Sequence, residues 1–102
     1  MSDVQISHHR ELSRWEAHLD GELAGFAEYQ LTDELYVFTH TEVDRAHEGR
    51  GVGSALAAGA LDEVRAEGTR SVLVVCPFIG AWIARHPDYA DLLYTSRSTA
   101  KD

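Results

Sequence analysis

Three glycines alternate with other residues at the start of a predicted helix: Gly49, Gly51 and Gly53. Alternating glycines let a backbone approach a ligand closely, and the N-terminal end of a helix attracts anions. The pattern therefore favours a phosphate-binding turn, and the alternative is a tight strand-to-helix turn that holds no ligand. A Walker P-loop is excluded because no Gly-Lys-Ser/Thr follows, and Ser54 stands where a dinucleotide fingerprint has its third glycine.

Three other side chains have the chemistry of acid–base or nucleophilic catalysis. His40 and Glu42 lie two residues apart in a predicted strand, and Cys76 is the only cysteine of the chain. A thiol is mostly protonated at neutral pH, so Cys76 needs an activating neighbour to act as a nucleophile or proton acceptor. The structural alternatives are a half-buried histidine with a backbone partner at position 40 and a small buried side chain at position 76.

The composition sets limits on partners and compartment. With 102 residues and 44% hydrophobic content, we expect one globular domain over residues 1–102, with a frayed tail from about residue 95. The net charge of −8 argues against nucleic acid as a ligand. It favours a cationic partner such as an amine, and the alternative is that the acidic surface serves solubility. No apolar stretch approaches the roughly 20 residues of a membrane span. A single cysteine suits the cytoplasm, and no metal-ligand spacing is present.

Alternating apolar and polar residues predict four strands, in residues 4–8, 14–19, 22–31 and 34–43, joined as an antiparallel meander. In the fourth strand an uninterrupted alternation puts two sets of residues on opposite faces. One face carries Leu35, Val37, Thr39, Thr41 and Val43, and the other carries Tyr36, Phe38, His40 and Glu42.

The second half of the chain has a different pattern. Residues 52–67 have apolar residues at helical spacing, and the β-branched run 71–75 predicts a strand that is buried on both faces. A second helix is predicted from Pro77 to just before Pro87. A strand, a helix and a strand in this order form a right-handed crossover, which makes the fifth strand parallel to the fourth. The expected fold is α/β (α+β): a mixed sheet of four antiparallel strands, a helical crossover to a parallel fifth strand, and a C-terminal helix.

Four motifs in this order resemble a known family. They are His40-Thr41-Glu42-Val43, the turn Glu48-Gly49-Arg50-Gly51-Val52-Gly53, Cys76-Pro77-Phe78 and His86-Pro87-Asp88-Tyr89. Over roughly residues 14 to 94, the chain is similar to the GNAT superfamily of acetyl-CoA-dependent N-acetyltransferases, and within it to a small, single-domain, cysteine-containing subgroup. The turn resembles the Gln/Arg-x-x-Gly-x-Gly/Ala pyrophosphate loop of that superfamily, but position 48 is Glu, whose charge should repel a pyrophosphate.

The resemblance implies a function and a set of site residues. Acetyl-CoA is the expected co-substrate, and the acceptor is an amine of a small molecule, peptide or protein, attacked directly in a ternary complex. Glu42, His40 and Cys76 are the catalytic candidates, and a Tyr89 hydroxyl is a candidate proton donor to the leaving thiolate. Two alternatives remain: a non-catalytic acyl-CoA-binding module and an acyltransferase with an acyl-enzyme at Cys76. The cofactor-binding candidates are Thr41, Val43, Gly49, Arg50, Gly51, Val52, Gly53 and Ser54.

Overall fold

A computed structural model describes residues 4–94, and the tail predicted to fray from residue 95 lies outside them. The strands are β1 (Gln5–His9), β2 (Arg14–Leu19), β3 (Glu22–Leu31), β4 (Leu35–Val43) and β5 (Ser71–Val74). The helices are α1 (Val52–Glu67) and α2 (Pro77–Arg85), and short 3₁₀ turns cover Arg10–Leu12, Arg45–His47 and Pro87–Leu92. Within residues 4–94, neither helix has the length and apolar character needed to cross a membrane.

The five strands form one sheet in the order β1-β2-β3-β4-β5. Strands β1 to β4 pair antiparallel with one another in succession, and β5 runs parallel to β4 after the α1 crossover. This arrangement confirms the predicted fold class. Helix α1 begins and ends at the predicted residues because Gly51 and Gly68 both adopt the left-handed conformation at its two ends.

Both helices pack on the same face of the sheet. Trp15, Tyr36 and Phe38 of the sheet share one buried cluster with Leu56 of α1 and Ile79 of α2. The opposite face, called here the outer face, has no helix from residues 4–94 packed on it. The prediction that β5 is buried on both faces is therefore wrong: Leu73 is 39% exposed and Val75, just after the strand, is 61% exposed.

A β-bulge at Thr39 interrupts the alternation of β4. Glu28 of β3 lies opposite His40 and Tyr29 lies opposite Phe38, which leaves Thr39 as the extra residue. Tyr36 and Phe38 therefore face the helices with Thr41 and Val43, whereas His40 and Glu42 lie on the outer face. On each side of the bulge, residues alternate between the two faces as predicted. The extra residue reverses the faces for the residues that follow it, so residues 36 and 38 share a face with 41 and 43 rather than with 40 and 42.

A polar network ties α1 to the sheet at the end far from the glycine turn. Glu63 of α1 accepts a hydrogen bond from Trp15 Nε1 at 2.9 Å and pairs with His8 Nδ1 at 2.6 Å. His8 Nε2 lies 2.7 Å from the Tyr29 hydroxyl, and the His8 ring stacks on Trp15. Burial acts to raise the pKa of Glu63, but the hydrogen bonds from Trp15 and His8 outweigh it and lower that pKa. The network fixes the rotation of α1 and thereby the direction of its N-terminal end.

Candidate functional site

Strands β4 and β5 separate at Phe38. Their parallel pairing runs from Leu35 opposite Ser71 to Phe38 opposite Val74. Beyond that point the Phe38 carbonyl accepts hydrogen bonds from the N–H groups of both Val75 (2.9 Å) and Cys76 (3.0 Å). Strand β4 then continues along β3, whereas the other chain turns into α2. A wedge-shaped gap opens between residues 39–43 and the start of α2.

Cys76 lies on the helix side of this gap. Its thiol donates to the Thr41 hydroxyl at a Sγ–Oγ1 distance of 3.4 Å, and the residue is only 3% exposed. The position beside β4 agrees with the expectation from the topology. Because the thiol is covered and already hydrogen-bonded, a ligand in bulk solvent does not reach it in this conformation.

His40 and Glu42 lie side by side on the outer face. His40 Nε2 is 3.2 Å from Glu42 Oε1, and both side chains are exposed. The Phe26 ring, on the neighbouring strand, is 6.0 Å from the His40 ring. The structure therefore brings His40 and Glu42 together but separates them from Cys76, which is on the opposite face of β4.

The glycine turn presents open backbone. Gly49 and Gly51 have φ angles of 82° and 79°, which are strained for any residue with a side chain, and a Cβ at either position would meet nothing within 4 Å. The turn leads directly into α1, whose first N–H groups have no partner within the helix. Such a turn can hold an anion on its backbone, as the sequence predicts.

Gly53 has a different structural reason. Its φ is not positive, and a Cβ there would lie 2.6 Å from Cζ of Phe78 in α2. The glycine therefore permits the close approach of the two helices. Ser54, one residue later, accepts a hydrogen bond from Trp82 Nε1 at 2.9 Å. Its own hydroxyl proton is left free to donate to an anion.

Two cavities of about 460 Å³ each border this region. The first, called the turn cavity, lies between the glycine turn and α2, and its walls include Ser54, Trp82 and Arg85. The second, called the outer cavity, lies between the start of β3 and the end of β4, and its walls include Phe26 and Glu42. Val43 and Glu48 border both cavities, so the two are neighbours.

The arginines divide into two groups. Among residues 4–94, the four that form ion pairs with carboxylates are Arg10, Arg14, Arg65 and Arg70. The other three, Arg45, Arg50 and Arg85, have no such partner in that part of the chain. Arg50 is in the glycine turn, Arg85 borders the turn cavity and Arg45 borders the outer cavity. Two of these three arginines, Arg50 and Arg85, are thus in or beside the predicted anion site, and Arg45 borders the neighbouring cavity.

Sequence reasoning singled out Arg50 but missed Arg45 and Arg85. Arg85 is the last residue of α2 and approaches the glycine turn only through the packing of α2 against α1. No local pattern reveals such a contact. The composition held the available signal. Basic residues are few in this acidic chain, so an arginine without a carboxylate nearby is a candidate for anion binding.

Tyr89 contacts both helices: its ring is 5.1 Å from the Trp82 ring of α2, and its hydroxyl reaches α1. Its hydroxyl donates to Asp62 Oδ1 at 2.7 Å, and this hydrogen bond, together with burial, raises the pKa of Tyr89 to about 12. Asp62 is ten residues beyond the first residue of α1, or ~15 Å along a helix. The structure thus places Tyr89 against the middle of α1. No three His, Cys, Asp or Glu side chains in residues 4–94 are grouped so that they could hold a metal ion.

The family profile described as GCN5-related N-acetyl-transferase matches residues 14–92, from β2 to the last 3₁₀ turn. That range contains the glycine turn, the strand gap and both cavities. No functionally curated protein shows significant sequence similarity to the chain.

Three solved structures share the fold. The solution structure of a GCN5-like protein from Staphylococcus aureus is 18% identical, with a TM-score of 0.68 over 99% of this chain and 98% of its own. The ribosomal-protein-S18-alanine N-acetyltransferase of Escherichia coli is 24% identical, with a TM-score of 0.60 over 74% of this chain. The ribosomal-protein-alanine N-acetyltransferase of Brucella melitensis is 19% identical, with a TM-score of 0.57 over 81% of this chain. The chain spans 49% and 62% of the length of these last two proteins.

Proposed function

This chain belongs to the GCN5-related N-acetyltransferase family, and from that premise we propose that it transfers an acetyl group from acetyl-CoA to an amine. The transfer is direct, in a ternary complex of the two substrates in the cytoplasm. When bound, acetyl-CoA supplies an acetyl group that is activated as a thioester. The observation that carries the proposal is the position of the glycine turn and its unpaired arginines beside the gap between β4 and β5.

The residues of the turn cavity fit an anionic diphosphate. The turn has open space in front of Gly49 and Gly51, and α1 contributes the positive end of a 16-residue helix. Arg85 borders the cavity and Arg50 is in the turn, and neither forms an ion pair with a carboxylate of residues 4–94. Backbone N–H groups of residues 49–54 and the Ser54 hydroxyl are the proposed donors. Thr41 and Val43, on the helix side of β4, are the proposed contacts nearer the thioester.

Glu48 opposes anion binding but does not prevent it. Its side chain is exposed, so solvent and salt screen its charge. The proposed donors are backbone groups of the turn, whose geometry does not depend on the side chain at position 48. We therefore expect Glu48 to weaken acetyl-CoA binding by a small factor.

The acceptor amine is proposed to approach over the outer face. Direct attack requires a neutral nitrogen, so a group near the acceptor must take the proton of an ammonium ion. Glu42 borders the outer cavity and touches His40. When the Glu42 carboxylate accepts a hydrogen bond from the Nε2–H group of His40, Nδ1 is the ring nitrogen that can take a proton. The His40–Glu42 pair is our proposed general base.

We propose that Cys76 has a structural role on the helix side of the gap. Its contact with Thr41 and its low exposure suit a residue that positions β4 against α2. A cysteine acyl-enzyme remains the alternative, and it requires Cys76 to be uncovered first. It predicts a mass gain of one acetyl group on the protein that Cys76→Ala abolishes.

Calorimetric titration with acetyl-CoA, followed by measurement of thiol release with a panel of amines, tests the proposal. We expect saturable binding and amine-dependent release of CoA. Absence of binding at millimolar acetyl-CoA would refute the function. Binding without thiol release for any amine would instead identify the non-catalytic acyl-CoA-binding module.

A further inference from the structure

The outer cavity is suited to a small molecule with an apolar middle. Leu23 and Phe26 of β3 form its apolar wall, with Ala24 and Gly25 between them. Leu23 is exposed, although it lies in a strand. A cavity of about 460 Å³ is in the range of small-ligand sites. The cavity also borders Glu42, so a molecule bound there lies next to the proposed general base.

The polar wall of this cavity is mainly acidic. Glu42, Asp44 and Glu48 line it, and Arg45 is its one arginine. The Glu48 N–H donates to the Arg45 carbonyl at 3.3 Å, but its carboxylate has no hydrogen-bond or ion-pair partner in residues 4–94. Asp44 Oδ1 accepts from the Ala46 N–H at 3.0 Å, whereas Oδ2 accepts no hydrogen bond in the same part of the chain and lies 4.0 Å from Nδ1 of His47. Two carboxylates besides Glu42 are therefore available to a cation.

We propose that the acceptor is a small aliphatic amine that carries a second positive charge, that is, a diamine or a longer oligoamine. The inference rests on the proposed acetyltransferase function and names its substrate class. One nitrogen loses its proton to the His40–Glu42 pair and is acetylated. The other stays cationic at neutral pH, because an alkylammonium group has a pKa near ~10, and it is held by Asp44 and Glu48. The methylene chain packs on Leu23 and Phe26.

This substrate class also accounts for Glu48. The family pattern expects Gln or Arg at this position, and a carboxylate there disfavours the anionic co-substrate. Glu48 borders both cavities, so the same charge that repels an anion in the turn cavity attracts a cation in the outer cavity. A carboxylate at this junction is unfavourable for one substrate and favourable for the other.

The test compares three matched acceptors in the presence of saturating acetyl-CoA. They are 1,5-diaminopentane, pentylamine, which lacks the second charge, and 5-aminopentanoic acid, which reverses it. We expect kcat/KM to be largest for the diamine, at least about fivefold lower for pentylamine and lowest for the amino acid, as two weak ion pairs predict. Equal values for the diamine and pentylamine would overturn the inference.

Two isosteric variants locate the second charge. Glu48→Gln and Asp44→Asn are each expected to lower the diamine-to-pentylamine ratio of kcat/KM by about two- to fivefold, and asparagine retains the ability to cap Ala46. Glu34→Gln is the matched control, because Glu34 is exposed and precedes the opposite end of β4. Its ratio should equal that of the unmodified protein. An unchanged ratio in both cavity variants would exclude Asp44 and Glu48 as the cation site.

The outcome separates the inference from the function on which it rests. If the protein binds no acetyl-CoA, the proposed function fails and calorimetry shows it without any acceptor. If it binds acetyl-CoA and acetylates monoamines as well as diamines, the function stands and the substrate class is wrong.

Discussion

Replacement of Gly53 by alanine tests whether this glycine serves the cofactor or the packing of the two helices. The sequence motif assigns Gly53 to pyrophosphate binding, whereas the structure places the Phe78 ring 2.6 Å from the position of a Cβ. The three nearest atoms all belong to that ring. Phe78 is 37% exposed, so it can move outward but loses part of its contact with α1.

The magnitude follows from two opposing terms. Alanine in place of glycine stabilises a helix by about 0.5–1 kcal/mol, and Gly53 is the second residue of α1. Overpacking against Phe78 costs about 1–3 kcal/mol. We therefore expect Gly53→Ala to destabilise the protein by about 0.5–2 kcal/mol when Phe78 is present. In a Phe78→Ala background, where the obstacle is absent, the same change should stabilise it by about 0.5–1 kcal/mol.

The assay is a double-mutant cycle of urea unfolding, with acetyl-CoA titrations of the same four proteins. A coupling energy of about 1–3 kcal/mol and a reversal of sign are the expected results. If Gly53→Ala has the same effect on the free energy of unfolding in both backgrounds, the packing explanation is refuted. If it abolishes acetyl-CoA binding in the Phe78→Ala background, where helix packing is relieved, Gly53 serves the cofactor after all.

Substitutions at three other positions test separate parts of the structure. Glu48→Gln should tighten acetyl-CoA binding two- to threefold. Charges of −1 and −2 separated by ~7 Å in water repel by ~1.2 kcal/mol, and physiological salt reduces this repulsion to ~0.5 kcal/mol. Calorimetry at two salt concentrations measures the change in affinity, and weaker binding would contradict the prediction. Glu63→Ala should lower the free energy of unfolding by about 2–4 kcal/mol, since Trp15 and His8 lose their acceptor. The pKa of Glu63 is lowered in the folded protein, so the stability that its charge contributes is present above the usual carboxyl pKa and is lost as the pH falls through the folded value. In urea unfolding, the free energies of the unmodified protein and of Glu63→Gln should therefore differ less at acid pH than at neutral pH. Cys76→Ala should reduce kcat by less than about tenfold, and complete loss of thiol release would instead favour the acyl-enzyme.

The sequence was sufficient where local chemistry determines structure. Helix α1 was predicted to the residue because a glycine lies just outside each end and an apolar stripe runs between them. The strand order was predicted because turn residues separate alternating runs, and a helical crossover leaves few topologies.

The sequence did not predict features that depend on contacts between residues far apart in the chain. The bulge at Thr39 depends on how β3 pairs with β4, so the exchange of faces beyond Phe38 was not readable from the alternation itself. The exposed outer side of β5 was missed because an apolar run looks the same whether one or both faces are covered. The contact between Gly53 and Phe78 was not readable either, because the two residues are 25 positions apart in the chain; the assignment of Gly53 to the cofactor stays a prediction.

The shared acceptor at the end of the parallel pairing has a mechanical consequence. Two successive N–H groups, of Val75 and Cys76, converge on the one carbonyl of Phe38, so the strands part at a single pivot. Thr39, the bulged residue, follows immediately and sets the angle at which β4 leaves that pivot. The strands are in register up to that point. Beyond it, the hydrogen bond from Cys76 to Thr41 is a contact that holds β4 against the start of α2. A wider opening at this point requires that hydrogen bond to break.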